Sequence, residues 1–129
     1  VELTIDTIIN KGTLLDCLIR TRTSINSGIS TAGSFIDNKE IYEYVDKIVS
    51  SIPGLEGPVG FQVKKSARGK YLLLECNPRI QGTSVAALGL GVNLPLRAVN
   101  QALGVTLESL PKHSGISFVR YYQEAFYDS

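Results

Sequence analysis

Residues 60–84 read GFQVKKSARGKYLLLECNPRIQGTS, and how they fold decides what the chain is. The runs GFQVKK and YLLLECN are strand-like and are separated by SARGK, whose Gly and small polar residues mark a turn. With the turn centred between Arg68 and Gly69, antiparallel pairing joins residues whose numbers sum to 137. Gln62 then stands opposite Glu75, and Gly60 opposite Asn77. Side chains alternate along a strand, so one face carries Phe61 and Val63 against Cys76 and Leu74, which predicts core. The other face carries Gln62 and Lys64 with Leu73, Glu75 and Asn77.

That second face has chemical content. A carboxylate and two amide oxygens are hard ligands of the kind that hold Mg²⁺ together with water and substrate phosphates. Arg79, two residues beyond Asn77, offers a planar fork that matches a phosphate. Spacing alone leaves two readings open: a shared ion at Gln62, Glu75 and Asn77, or a strand face turned to water and ended by an Asn-Pro turn, which is the commoner fate of such a face.

Bulk properties narrow the field. The 129 residues suit one domain with a real core. A net charge of +1, with Lys and Arg scattered along the chain, argues against nucleic acid as a partner. Cys17 and Cys76 lie far apart, and with His113 as the single histidine no zinc spacing can be assembled. Reduced thiols in a cytoplasmic protein are the expectation. No apolar run reaches the length of a membrane span, and the start lacks a signal peptide pattern. The chain has no Met at all and enters at once into the alternation VELTIDTII, so it reads as a piece of a longer protein.

Working outward from the hairpin, residues 3–9 and 14–23 alternate on either side of the Lys11-Gly12 turn and predict a first hairpin. A polar stretch, SINSGISTAGS, follows without a predicted element. Ile41, Val45, Ile48 and Ile52 recur at helical spacing over 38–52, with Asp37 or Asn38 as the N-cap and Pro53-Gly54 as the stop. After the second hairpin, TSVAALGLG and LPLRAVNQALG have helical character, broken at Gly91 and Asn93, with Pro95 suited to a first turn. ISFVRYYQEAFY predicts a last strand. The order strands, helix, strands, helices, strand predicts an α+β fold, a largely antiparallel sheet with helices packed on it.

The stretch from Gly60 onward, with Gln62, then Glu75, Cys76, Asn77, Pro78 and Arg79, then Gly82, Thr83 and Ser84, resembles the C-terminal part of the ATP-grasp superfamily. It is most similar to the carbamoyl-phosphate-synthase-like branch. There a Glu-x-Asn-Pro-Arg ends a strand and follows a Gln by about fourteen residues; here the separation is thirteen, which suggests a tighter turn. VELTIDTIINKGTLLDCLIRTRTSINSGIS is similar to the family's strand, turn, strand, Arg-x-Arg and Gly-Ile-Ser pattern.

The resemblance implies that residues 1–129 are the C-terminal ATP-grasp lobe of a ligase that phosphorylates a small carboxylate with ATP and passes the acyl group to an amine. It implies Gln62, Glu75 and Asn77 as Mg²⁺ ligands on the ATP phosphates and Arg79 as the catalytic group steadying the transferred phosphate. Arg20 and Arg22, on one strand face, are candidates for the phosphates or the acceptor carboxylate. The lobe alone would be inactive, because the glycine-rich flap and phosphate-contacting lysines of such enzymes precede this segment.

Other residues carry plainer expectations. Lys64 faces solvent or an ion pair, and Glu2 and Asp6 face outward from a solvated edge. Cys76 points into the core beside Phe61. His113 lies on the surface. Gly89 to Gly91 lack the strand and lysine of a phosphate loop. Gly82, Thr83 and Ser84 either offer N–H groups to an anion or make an ordinary N-cap. Two rivals stand: a regulatory or oligomerising module that kept the fold without the chemistry, and a biotin-carboxylase-type enzyme, whose acidic and histidine-bearing run after the arginine is missing from IQGTS. A free sheet edge could also pair with a second copy, giving a homo-oligomer.

Overall fold

A computed structural model of the chain describes residues 1–111 and 114–128; His113 lies outside the described residues. The first hairpin joins β1 (Glu2–Asn10) to β2 (Thr13–Thr21). Lys11 and Gly12 both take positive φ, 47° and 78°, the two-residue turn whose twist matches antiparallel strands. β1 pairs with β2 on one side and with β5 (Gly57–Lys65) on the other, which makes it central and explains why it is buried on both faces. β5 in turn pairs with β6 (Tyr71–Asn77), which forms the edge.

The polar stretch 24–34, for which the sequence predicts no element, is also largely strand. β3 (Ser24–Asn26) and β4 (Ile29–Ile36) form a hairpin around Ser27 and Gly28, with φ of 49° and 78°. Its small and hydroxyl residues pack against neighbours instead of following a hydrophobic alternation. Gly33 shows why: a Cβ there would lie 2.1 Å from the Thr21 carbonyl oxygen. The last strand is shorter than predicted. β7 (Ser117–Val119) pairs with β4, and Arg120 N–H adds one more bond to Thr31 O at 2.7 Å; at this register β4, which begins at Ile29, runs out opposite Tyr122, so residues 123–127 of the predicted strand have no partner strand. Tyr121, Tyr122, Phe126 and Tyr127 are exposed. The paired strands are all antiparallel, and with the helices the fold is α+β.

Helices cover both faces. α1 (Lys39–Ser50) starts where the Asn38 side-chain oxygen accepts from Ile41 N–H at 3.1 Å. It buries Ile41, Val45 and Val49 against Ile5, Phe61 and Val63, while Ile52 lies past its end and is 44% exposed. On the opposite face, a 3₁₀ helix (Ser84–Leu90) and α2 (Leu94–Ala102) pack Ala87, Val92 and Leu94 against Ile8, Leu18 and Phe35. Pro95 sits in the first turn of α2 and Asn93 caps it, accepting from Leu96 N–H at 3.0 Å. Gly91 closes the 3₁₀ helix with a left-handed φ of 74°, a structural role for the Gly-Leu-Gly run. Arg97 ties α2 to β2 by a two-pronged contact with Asp16, Nε to Oδ2 at 2.5 Å and Nη2 to Oδ1 at 2.7 Å. That hydrogen bonding raises the Arg97 pKa further.

Candidate functional site

The second hairpin arrives at the predicted register by another route. Ser66 N–H bonds Lys70 O, Gly69 takes φ of 78°, and Lys65 pairs with Tyr71, so near the turn the paired numbers sum to 136. A bulge between Gln62 and Val63 then inserts one residue in β6, and Gln62 faces Glu75, Phe61 faces Cys76, and Gly60 faces Asn77. The bulge corrects the predicted faces: Leu73, not Leu74, stands opposite Val63. Cys76 is also exposed instead of buried, since β6 is an edge and α1 reaches it by the Tyr44 hydroxyl, which accepts from Leu73 N–H at 3.0 Å.

Alternation and register together dictate the site. Even-numbered residues of β1 up to Ile8, of β2 from Asp16 onward and of β5 share the face that carries α2. Across the strands this gives one row of Glu75, Gln62, Thr4 and Arg20 and a second of Asn77, Gly60, Asp6 and Leu18. Towards Ile8 the face is apolar and covered by the helices, and towards Thr4 it turns polar and opens into a cleft of about 220 Å³. Arg20, Arg22, Gln62, Asn77 and Arg79 line that cleft, together with Gln81 and Gly82. Five of the six residues singled out from the sequence thus meet there. Glu75, the sixth, is held at its edge, where its Oε2 accepts from Gln62 Nε2 at 2.5 Å and from Asn77 Nδ2 at 3.0 Å.

The arginines are fixed in different ways. Arg20 is 1% exposed, and its Nε donates to Asp6 Oδ2 at 2.9 Å while Nη2 lies 2.7 Å from the same oxygen. Arg22 Nη1 donates to Glu2 Oε1 and, at 2.7 Å, to Gln62 Oε1, and its Nη2 donates to Gly28 O at 2.5 Å. Glu2 and Asp6 are therefore counter-charges on a central strand, not a solvated edge as predicted. Burial raises the Asp6 pKa, opposed by the Arg20 charge and by hydrogen bonds from Arg20 and Gln81. Arg79 is exposed at the rim, where Nη1 donates to Ile80 O at 3.1 Å.

Three guanidinium nitrogens on this wall, Arg20 Nη1 and Nη2 and Arg22 Nε, are buried without a hydrogen bond; Nη2 keeps its ion-pair contact with Asp6, which leaves Nη1 and Nε as two spare donors. Buried guanidinium N–H groups without acceptors are costly, and an anion in the cleft would satisfy them. The cation side is equally restrictive. Among the described residues no three His, Cys, Asp or Glu side chains could hold a metal together, so an ion beside Glu75 would have to draw on that carboxylate and amide oxygens, a set that suits Mg²⁺ completed by phosphate oxygens and water. The residues present fit both groups. Thr83, at the N-cap position of the 3₁₀ helix, makes no side-chain cap bond, and Ser84 N–H is spent on Gln81 O at 3.0 Å.

Gln81 is the residue the sequence did not single out. It is buried, and its Nε2 donates to Ile5 O at 3.1 Å and to Asp6 Oδ1 at 3.2 Å. The available signal was Gly60, whose missing side chain leaves the space that Gln81 fills.

Residues 1–125 match the family described as ATP-grasp in the biosynthetic pathway with Ter operon. No curated protein matches the chain. Among solved structures, N5-carboxyaminoimidazole synthase from Aspergillus clavatus, in complex with ADP and 5-aminoimidazole ribonucleotide, superposes with a TM-score of 0.68 at 16% identity, over 83% of this chain and 30% of that one. The biotin carboxylase domain dimer of the Hydrogenobacter thermophilus 2-oxoglutarate carboxylase, in complex with MgADP, ADP and bicarbonate, gives 0.63 at 18% identity, over 84% and 26%. The L-amino acid ligase of Bacillus licheniformis gives 0.55 at 17% identity, over 79% and 29%. At these identities the likeness is one of fold, and the chain spans under a third of each of these structures' length. Among the described residues, no helix is long and apolar enough to cross a membrane.

Proposed function

The chain belongs to the ATP-grasp family of the biosynthetic pathway with Ter operon, and from that premise we propose that residues 1–129 form the C-terminal lobe of an ATP-dependent carboxylate–amine ligase and supply one wall of its nucleotide site. In this reading Glu75 anchors Mg²⁺, and Gln62 and Asn77 add amide oxygens after a half-turn of each amide, whose N–H groups now point at the carboxylate. Bound Mg²⁺ would neutralise charge on the ATP phosphates during transfer to the acceptor carboxylate, giving an acyl phosphate for the amine to attack.

The chain's own residues do the positioning. Arg20 Nη1 and Arg22 Nε take phosphate or carboxylate oxygens from the floor of the cleft, where low solvent access strengthens each contact. Arg79, exposed at the rim, steadies the transferred group from there. Glu75 serves as a metal anchor and not as a base, because a carboxylate on a cation stays ionised. The observation that carries this reading is the convergence of three arginines with Gln62 and Asn77 on one cleft, with Glu75 hydrogen-bonded to both amides at its edge and two guanidinium donors left over.

Synthase and biotin carboxylase structures both share the fold, so the identity of the acceptors is a separate matter from the phosphate chemistry. The test is ADP formation by the full-length protein with Arg79→Ala. Loss of one such donor is expected to lower kcat by about 10²–10³ with nucleotide still bound. Unchanged turnover would remove Arg79 from the reaction.

A further inference from the structure

We propose that Gln81 is a positioning residue, which pins the loop after β6 to the centre of the sheet and thereby holds the Arg79 and Arg20 guanidiniums on the same cleft. The inference rests on the phosphate-site reading above but concerns a side chain outside its ligand set. Arg79 and Gln81 are two residues apart on one loop. Gln81 reaches back across β5 to β1, donating to Ile5 O at 3.1 Å and to Asp6 Oδ1 at 3.2 Å. The other oxygen of Asp6 holds Arg20 Nε at 2.9 Å. One amide therefore links the rim arginine's loop to the carboxylate that sets the floor arginine.

Gly60 makes this path possible. A Cβ on Gly60 would lie 2.2 Å from Gln81 Cγ, 2.3 Å from Cδ and 2.4 Å from Nε2, so any side chain there expels the amide from β1. Gly60 is also the residue between Asp6 and Asn77 in its cross-strand row. The strand position beside the candidate metal ligand is thus left bare, and the space is given to a hydrogen-bond donor. A residue serving only to fill volume would need no donor; Gln81 uses its N–H₂ on a backbone oxygen and on the ion pair.

The test uses the full-length protein, with Mg·ADP as the probe and Glu75→Gln as the control for the metal reading. Gln81→Met keeps length and volume but cannot donate, so it separates positioning from packing. Its affinity for Mg·ADP is expected to fall about tenfold or more while the melting profile stays close to wild type. Gly60→Ala should lower affinity through the same side chain, so the Gly60→Ala, Gln81→Ala pair should bind no worse than Gln81→Ala alone. If Gln81→Met binds as wild type does, or if affinity in the variants follows stability alone, the proposal is overturned. If Gln81→Met weakens binding while Glu75→Gln does not, the positioning role stands and the metal assignment falls. If neither variant weakens binding, both fail.

Discussion

Replacing Arg20 with Met should be among the costlier single changes in this chain, and its cost should depend on pH. The side chain is 1% exposed and contacts Asp6, itself buried, at 2.9 and 2.7 Å. Opposite charges about 4 Å apart attract by about 4 kcal/mol at an effective dielectric near 20. Removing one member of a buried pair costs about 3–5 kcal/mol, because the other charge stays dehydrated and unpaired. Burial already raises the Asp6 pKa and Arg20 is what pulls it down, so without Arg20 it rises further. A raised folded-state carboxyl pKa contributes stability below its unfolded value and loses it as pH rises through the folded one. The penalty of Arg20→Met is therefore largest near neutral pH and shrinks towards the ordinary carboxyl range. Urea unfolding of wild type and variant between pH 4 and pH 8 measures it. The Asp6→Asn, Arg20→Met pair removes both charges and should regain most of the lost stability while leaving the cleft without its floor arginine. A loss below about 1 kcal/mol, or one that does not change with pH, would refute the account of a dehydrated pair.

The cysteines give two further checks. Cys17 is buried and its thiol is pushed up to about 12 by burial, with Asp6, Asp16 and Asp46 adding to the shift, so stability should be intact below pH 9 and fall from there towards pH 12 as the unfolded chain ionises. The rise from 9.0 to about 12 corresponds to about 4 kcal/mol at the upper end, and Cys17→Val should remove that share of the slope in alkaline denaturation. Cys76 lies exposed on the β6 edge, so in residues 1–129 a thiol reagent should label it in the folded state and Cys17 only after unfolding; a protected Cys76 would mean that this strand is covered.

How far these features could be read from sequence depends on what kind of information each needs. Alternation and turn residues located β1, β2, β5, β6 and α1, because a face that packs against a core must repeat. The shared face of the candidate residues was legible for the same reason: the parity of Gln62, Glu75 and Asn77 put them on one face once the register was set. The register itself survived two departures that cancel, a turn centred half a residue earlier than assumed and a bulge that restores the count. A bulge is a tertiary event and leaves no mark in a period, which is why Leu73 and Leu74 exchanged roles. Asp6 and Glu2 were misread because a strand's place in the sheet order is invisible locally; a central strand turns an outward carboxylate into a counter-charge. Ser24–Asn26 and Ile29–Ile36 were missed because small residues that let chains approach closely do not alternate in hydrophobicity, although the Ser-Gly between them was a turn signal.

The central claim is that the β5–β6 face holds the metal-bound phosphates. Its direct test is a Mg²⁺-dependent titration of ATP with the full-length protein, comparing wild type with Glu75→Gln and Asn77→Ala, each verified as folded. The account predicts that both variants lose the Mg²⁺-dependent part of the affinity, Glu75→Gln the more completely because it removes the one carboxylate of the set. Wild-type binding in both folded variants would contradict it and make this face the end of a strand and nothing more.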